Sequence, residues 1–274
     1  MRIGIITNSR RDTDFEITRG MAQWLCARGV ELAFPGGFTD VHDAPDIDAG
    51  LLAGLYALVV LGGDGTVLQA AKLAAPHNVP ILGINTGNLG YITDVESADA
   101  FTALASVLDG RFEVEERVML DARISGRGEA ILALNEVYAA RVMPSQLLEV
   151  DVCVNGAAIA GYRSDGVLVA TPTGSTAYNL SAGGPVLRPD LGALVITPIG
   201  PHSLSHRPIV ISGCDKVTLR LTGGEKHGVL VADGVTVAEL GCSDTVHIER
   251  SRHVTRVIKT NTHSFYDRLR IKIR

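Results

Sequence analysis

Residues 57–75 read ALVVLGGDGTVLQAAKLAA: an apolar run, a glycine-rich turn at Gly62-Gly63-Asp64-Gly65-Thr66, and an Ala/Leu-rich stretch. The run Ala57 to Leu61 is too short for a helix and has the make-up of a buried parallel strand, whereas Val67, Leu68, Ala71 and Ala75 recur at helical spacing. Asp64 is therefore expected in a strand-to-helix loop. Gly62, Gly63 and Gly65 let the backbone pass close to a ligand, and the N–H groups of the helix turn opening at Thr66 favour an anion such as phosphate. A carboxylate there repels phosphate unless it holds a cation, shares a proton, or takes one from an attacking hydroxyl. A sharp turn closed by an Asx-type hydrogen bond is the simpler alternative.

Outward from this stretch, strand-like and helix-like segments alternate as far as Gly110: RIGIIT, DFEITRGMAQWLCARG, VELAF, ALVVL, the helix after Asp64, VPILGIN and SADAFTALASVLDG. Such alternation implies a doubly wound α/β domain with a parallel sheet, in which ligands bind at the carboxyl ends of strands. A second glycine-rich turn, Gly83 to Gly90, falls at such an end. Its G-x-x-x-G-x-x-G spacing is not the dinucleotide fingerprint, and no Walker motif is present. Beyond Arg111 the chain turns to short β-rich runs broken by Gly, Asn, Asp and Pro, which predicts a predominantly β domain. The expected division is 1–112 and 113–254. The closing FYDRLRIKIR alternates basic and apolar residues as a half-buried strand does; its positive charge either attracts a phosphorylated ligand or forms a solvated edge.

A chain of 274 residues with 46% hydrophobic residues can bury a core, and a net charge of −5 gives no broad reason to expect nucleic acid or an anionic membrane as partner. Any phosphate binding has to be local. Cys26, Cys153, Cys214 and Cys242 are spaced for neither a disulfide framework nor zinc, and are expected as reduced, partly buried thiols. MRIGIITNSR lacks the form of a signal peptide, and no apolar stretch approaches membrane-spanning length, so a soluble cytoplasmic protein is expected.

A second unusual cluster is RSDGVLVATPTGSTAYNLS at 163–181. Small hydroxylated residues beside glycine suit a sugar or phosphate edge, and Tyr178 can stack on a base; the alternative is an ST-turn capping a helix near Ser175, with Tyr178 in the core. Asn135-Glu136 is a polar pair inside an apolar run, able to read a base edge and ribose hydroxyls or to sit unliganded at a strand edge. PHSLSHRP at 201–208 has two histidines four apart but no H-E-x-x-H glutamate, and reads as a structured loop, with no metal-ligand set expected.

Taken together, GGDGT at 62–66, GINTGNLGYI at 83–92, LNEVY at 134–138, RSDG at 163–166, TPTGSTAYNLSAGGP at 171–185, PHSLSHRP at 201–208 and the closing DRLRIKI resemble the NAD kinase family over nearly the whole chain. GGDGT alone also occurs in lipid kinases and their phosphofructokinase relatives; the ordered set is more specific. The resemblance implies phosphorylation of the adenosine-ribose 2′-hydroxyl of NAD by ATP or polyphosphate with Mg²⁺ or another divalent cation. It implies an α/β domain and a β-rich domain with the active site between them, residues from about 255 to 274 packing back on the first, and a homodimer or homotetramer. Carried onto this chain, it makes Asp64 the general base, with Gly62, Gly63, Gly65 and Thr66 as the phosphate loop. Gly65, Asn135, Glu136, Gln146, Asp165, Thr176, Ala177, Tyr178, Asn179 and Ser181 become NAD contacts. Arg163 matches the branch that prefers NAD over NADH, and Val235 stands where members usually carry Gln. A lipid kinase needs an acyl pocket and a non-catalytic NAD sensor has no use for Asp64; both are the rival readings.

Overall fold

The computed structural model describes residues 1–34, 49–87, 90–93, 95–143, 146–203, 205–222, 228–260 and 264–272. Asn88 and Leu89 of the second glycine turn, Leu204 of the two-histidine loop, and Ile273 and Arg274 lie outside these. The chain divides into two compact units, Met1–Arg117 with His253–Arg274, and Val118–Arg252.

The first unit opens with strand β1 (Arg2–Thr7), helix α1 (Glu16–Cys26), β2 (Glu31–Ala33), α2 (Ala49–Leu52), β3 (Ala57–Gly62), α3 (Asp64–Ala74), β4 (Ile81–Asn85), β5 (Val95–Glu96) and α4 (Ala100–Leu108). Strands β2, β1, β3 and β4 lie side by side and parallel, with Ile5 opposite Val59 and Val59 opposite Leu82. Every residue of β3 is buried, as a strand covered on both faces requires. Alternate residues separate the faces. Ile3, Ile5, Val59, Leu61, Leu82 and Ile84 pack with Met21 and Leu25 of α1 and Leu104 and Val107 of α4. Gly83, of the other parity, faces α3: a Cβ there would lie 3.4 Å from Val67 Cγ2. Helices on both faces make this a doubly wound sheet.

The second unit is antiparallel. In chain order it holds β6 (Glu113–Ile124), which starts in the first unit, β7 (Ile131–Ala133), β8 (Glu136–Arg141), β9 (Leu148–Val154), β10 (Ala157–Ser164), β11 (Gly166–Ala170), the short helix α5 (Tyr178–Ser181), β12 (Ala193–Ile199), β13 (Ile209–Ser212), β14 (Val217–Leu221), β15 (Gly228–Ala232), β16 (Val235–Leu240) and the start of β17 (Thr245–Lys259). One sheet runs β13-β12-β11-β8-β15-β16, and β10, β9, β14 and β17 form a second run. Val137, Val167, Ile196 and Leu230 of the first share a core with Val150, Val152, Leu219, Val246 and Ile248 of the second, the arrangement of a β-sandwich. The run AILALNEVYAARV is two strands, broken at Leu134-Asn135.

Strand β17 crosses from the second unit into the first and pairs parallel with β4 at Val257 opposite Ile81. The chain then forms helix α6 (Phe265–Lys272), where the alternating pattern predicted a strand. The physical reason is a reciprocal cap. Ser264 Oγ donates to Asp267 Oδ2 at 2.6 Å, Asp267 N–H donates to Ser264 Oγ at 3.2 Å, and Ser264 N–H donates to Asp267 Oδ2 at 3.2 Å. In helical spacing Phe265, Arg268, Leu269 and Lys272 share a face, and Arg268 is 3% exposed.

The thiols also differ from expectation. All four are free, but Cys26, Cys214 and Cys242 are exposed and only Cys153 is partly buried: Cys26 ends α1, Cys214 and Cys242 lie in short connections, and Cys153 is in β9. Among the described residues no helix is long and apolar enough to cross a membrane.

Candidate functional site

Strand β3 ends at Gly62 and α3 starts at Asp64, so only the N-cap Gly63 separates them. Asp64 is the first residue of the helix, not part of a loop. The turn closes this tightly because position 62 is bare: a Cβ there would lie 2.4 Å from Thr66 Oγ1. Thr66 and Val67 both donate their N–H groups to the Gly63 carbonyl, at 3.0 and 3.2 Å. Thr66 itself is buried, and its hydroxyl accepts from Asn8 Nδ2 at 3.2 Å.

No Asx turn holds Asp64; its partners lie in the turn after β4. Oδ1 accepts from Ile92 N–H, Thr93 N–H and the Thr93 hydroxyl, each at 3.1 Å, and Oδ2 accepts from Tyr91 N–H at 2.8 Å. Gly90 makes room for this: a Cβ there would lie 2.0 Å from Asp64 Oδ1 and 2.2 Å from Thr93 Oγ1. The second glycine-rich turn thus aims the carboxylate of the first. Oδ2 bears the single bond of the four, so it keeps lone-pair capacity for a further hydrogen-bond donor. Asp64 is half-buried and borders a cavity of about 390 Å³, lined also by Arg11, Gly63, Gly65, Asn85, Gly87, Gly90 and Lys272. Burial first, and then the Asp64 charge, pushes the neighbouring Tyr91 phenol above its ordinary 10.0.

The second unit collects most of the remaining predicted residues around one turn. Asp233, in the β15–β16 hairpin, accepts from Leu134 N–H at 3.0 Å, Asn135 N–H at 2.7 Å and Glu136 N–H at 3.3 Å. On the other side Thr171 N–H donates to the Asn135 carbonyl at 2.9 Å and the Thr171 hydroxyl to the Leu134 carbonyl at 2.6 Å. Gly174 is packed so closely that a Cβ would lie 2.0 Å from that Asn135 carbonyl oxygen. Asn135 and Glu136 are 8% and 4% exposed, and Asn135 Oδ1 accepts no hydrogen bond from any described residue. A buried acceptor without a protein donor has room to accept from a ligand or a water.

The 171–185 run divides by role. The side chain of Asn179 is fully buried and donates to the Ser175 and Pro185 carbonyls, each at 3.1 Å, while its Oδ1 accepts from Thr197 Oγ1 at 2.7 Å. It holds the turn. Thr176 and Ala177 are half-buried, Ser181 is exposed, and Tyr178 is exposed with its ring 5.2 Å from that of Tyr138. Tyr178 is therefore not core, and the helix expected from Ser175 is a 3-10 turn (Gly174–Thr176) followed by α5. Burial, then Tyr178 and Glu136, raise the Tyr138 phenol above its ordinary 10.0.

Asp165 is paired with Arg141, whose Nε lies 2.9 Å from Oδ1 and whose N–H donates to the Asp165 carbonyl at 2.9 Å. Arg163 points to Glu149 across the β9–β10 hairpin, at 3.4 Å. Gln146 is exposed, with its N–H donating to the Met143 carbonyl at 3.2 Å. Val235 is 43% exposed at the start of β16.

Sequence reasoning missed Arg11, Arg141 and the anchoring role of Asp233, and it placed Lys272 in a strand. Arg11 follows the carboxyl end of β1, the place where such sheets bind ligands. The Ser264-x-x-Asp267 cap was the signal for α6, and therefore for Lys272.

Residues 3–112 match the family model described as ATP-NAD kinase N-terminal domain, and residues 134–260 match ATP-NAD kinase C-terminal domain. The chain belongs to the ATP-NAD kinase family. The NAD kinase of Heliobacterium modesticaldum is 38% identical over 279 residues, covering 99% of this chain and 98% of the relative. That of Syntrophotalea carbinolica is 37% identical with the same coverage. An NAD kinase from Archaeoglobus fulgidus, solved in complex with ATP, superposes with a TM-score of 0.77 at 28% identity, over 95% of this chain and 94% of that one. Yeast NADH kinase, complexed with NADH, reaches a TM-score of 0.84 at 22% identity, over 96% and 84%, and shares the fold. As a member of the ATP-NAD kinase family the chain is a phosphotransferase.

Proposed function

We propose that this chain transfers the terminal phosphoryl group of ATP to the 2′-hydroxyl of the adenosine ribose of NAD, giving NADP, with Asp64 as general base. The observation that carries this is the Asp64 carboxylate, oriented by four donors and bordering a cavity at the N-terminus of α3. Asp64 Oδ2 takes the proton as the 2′-oxygen attacks the terminal phosphorus in line and the bond from that phosphorus to the bridging oxygen breaks, releasing ADP. The backbone of Gly63 and Gly65 and the dipole of α3 offset charge on the phosphoryl oxygens. Most of the acceleration is positioning, which is why a carboxylate fixed by its own loop suits the task.

Asn135 and Glu136 hold the acceptor. The unsatisfied Asn135 Oδ1 accepts from the adenine amino group, and Glu136 accepts from ribose hydroxyls. Asp165, kept in place by Arg141, takes the nicotinamide end, Thr176, Ala177, Tyr178 and Ser181 flank the same ligand, and Asn179 supports them from beneath. Gln146 and Arg163 stand at its periphery, with Arg163 setting the preference for NAD over NADH. Among the described residues no cluster of three or more His, Cys, Asp or Glu side chains is arranged as a metal cage. The divalent cation, Mg²⁺ in this reading, arrives on the phosphates of ATP as part of that substrate. The family resemblance further supports polyphosphate as an alternative donor and a homodimer or homotetramer, and the form of the N-terminal sequence supports a cytoplasmic location.

The test is NADP formation by purified protein with NAD, ATP and Mg²⁺, with Asp64→Asn as control. Wild-type turnover that falls by roughly two to four decades in the variant, with NAD still bound, is the expected result. Equal turnover in the two proteins removes Asp64 from the role of base.

A further inference from the structure

Among the described residues, the ionisable side chains that line the cavity beside Asp64 are one carboxylate and two cations, Arg11 and Lys272, which come from opposite ends of the chain. Arg11 reaches it from the segment after β1. Its Nη1 lies 3.0 Å from where a Cβ on Gly87 would stand, so the bare glycine lets the guanidinium rest against the turn after β4. Lys272 reaches it from the last turn of α6, with Nζ 5.3 Å from the centre of the Tyr91 ring. Tyr91 is the residue whose N–H holds Asp64 Oδ2.

We propose that Arg11 and Lys272 form a two-sided cationic clamp that binds the phosphate chain of the phosphoryl donor against the N-terminus of α3. The clamp rests on the kinase reading above. Without it, a polyanionic donor meets the repulsion of Asp64; with it, the described lining residues carry a net positive charge despite that carboxylate. The two cations differ in a useful way. A guanidinium can grip two phosphate oxygens in a fixed plane, whereas a lysine ammonium on a flexible stem can follow the group in flight. The residues read as NAD contacts, other than Asp64 and Gly65, belong to the second unit, while both cations belong to the first, with the base. That division assigns them to the donor and not to the diphosphate of NAD.

The experiment uses Arg11→Gln, Lys272→Gln, the double variant and the charge-keeping Lys272→Arg in the full chain. Initial rates are taken against ATP at saturating NAD and against NAD at saturating ATP, at two salt concentrations. Calorimetry measures inorganic tripolyphosphate binding in parallel. Each Gln variant is expected to raise the KM for ATP about 10-fold or more, with the KM for NAD unchanged within about twofold. Lys272→Arg is expected to restore the wild-type value, and the double variant to lose most of the salt dependence of the ATP KM. A rise confined to the NAD KM overturns the assignment, as does an ATP KM untouched in the double variant. Should the wild type make no NADP, the kinase reading fails alone: tripolyphosphate binding lost in the double variant still supports the clamp, and binding retained there overturns it.

Discussion

Asp64 in the first unit and Asp233 in the second are anchored in the same way. Each carboxylate accepts the N–H groups of three consecutive residues, 91–93 in one case and 134–136 in the other. They differ in what lies on the remaining side. Asp64 is half-buried on the wall of a cavity, whereas Asp233 is 6% exposed within a tight hairpin. The same arrangement of donors therefore orients a carboxylate beside a cavity in one unit and fixes the backbone of residues 134–136 in the other. Counting hydrogen bonds does not tell the two apart; the burial of the carboxylate does.

The largest effects come from breaking each aspartate in turn. Asp64→Asn is expected to remove about two to four decades of turnover and, because its amide NH2 meets the Tyr91 N–H where Oδ2 accepted, to cost about 1–3 kcal/mol of stability. Asp233→Ala strands three buried N–H groups at about 1–3 kcal/mol each, so urea melts are expected to show a loss of at least about 3 kcal/mol, with a raised KM for NAD. If Asp233→Ala melts like wild type, the contrast between the two sites collapses. Next comes Gly90→Ala, which drives a methyl to within 2.0 Å of Asp64 Oδ1. Overpacking of this kind costs about 1–3 kcal/mol, and displacement of Asp64, the proposed base, is expected to lower kcat more than it raises either KM. Steady-state kinetics would separate these. Thr93→Val deletes one of the four Asp64 bonds, a change expected to cost about 1 kcal/mol and to lower kcat by several-fold.

The smallest effect is electrostatic. Tyr91, Tyr138 and Tyr162 all hold their protons above the ordinary phenol value of 10.0, burial being the first cause in each. The folded chain thus binds these protons more tightly than the unfolded one. Their contribution to stability is complete below pH 10 and is lost as pH rises through the raised values. Melts at increasing alkaline pH are expected to follow that course. In Asp64→Asn, one phenol is expected to ionise at lower pH than in wild type, because the carboxylate charge near Tyr91 is gone; Asp233→Ala is not expected to move it.

Much of this was legible in the sequence for physical reasons. Fully buried β3 reads as an uninterrupted apolar run, and small residues at helical spacing reveal α3, so the parallel architecture follows from local pattern. Legibility failed where the deciding interaction was a side-chain cap or a distant partner. A two-residue alternation in FYDRLRIKIR outweighed the Ser264–Asp267 cap, and with the helix went the position of Lys272. Asp233 followed by glycine reads as a hairpin turn, and its grip on residues 134–136, nearly a hundred positions earlier, leaves no local mark. Asn179 entered as a ligand contact only through the family resemblance, and nothing local in the sequence shows that its amide is committed to Ser175, Pro185 and Thr197.

The pairing of Val257 with Ile81 has a consequence for how the chain is made. A ribosome delivers Asp64 and its supporting loop early, but the strand that completes this side of β4 and the helix bearing Lys272 emerge only after the whole intervening β-sandwich. The unit synthesised first is therefore the one finished last, and a nascent chain carries Asp64 long before the sheet that supports it is complete.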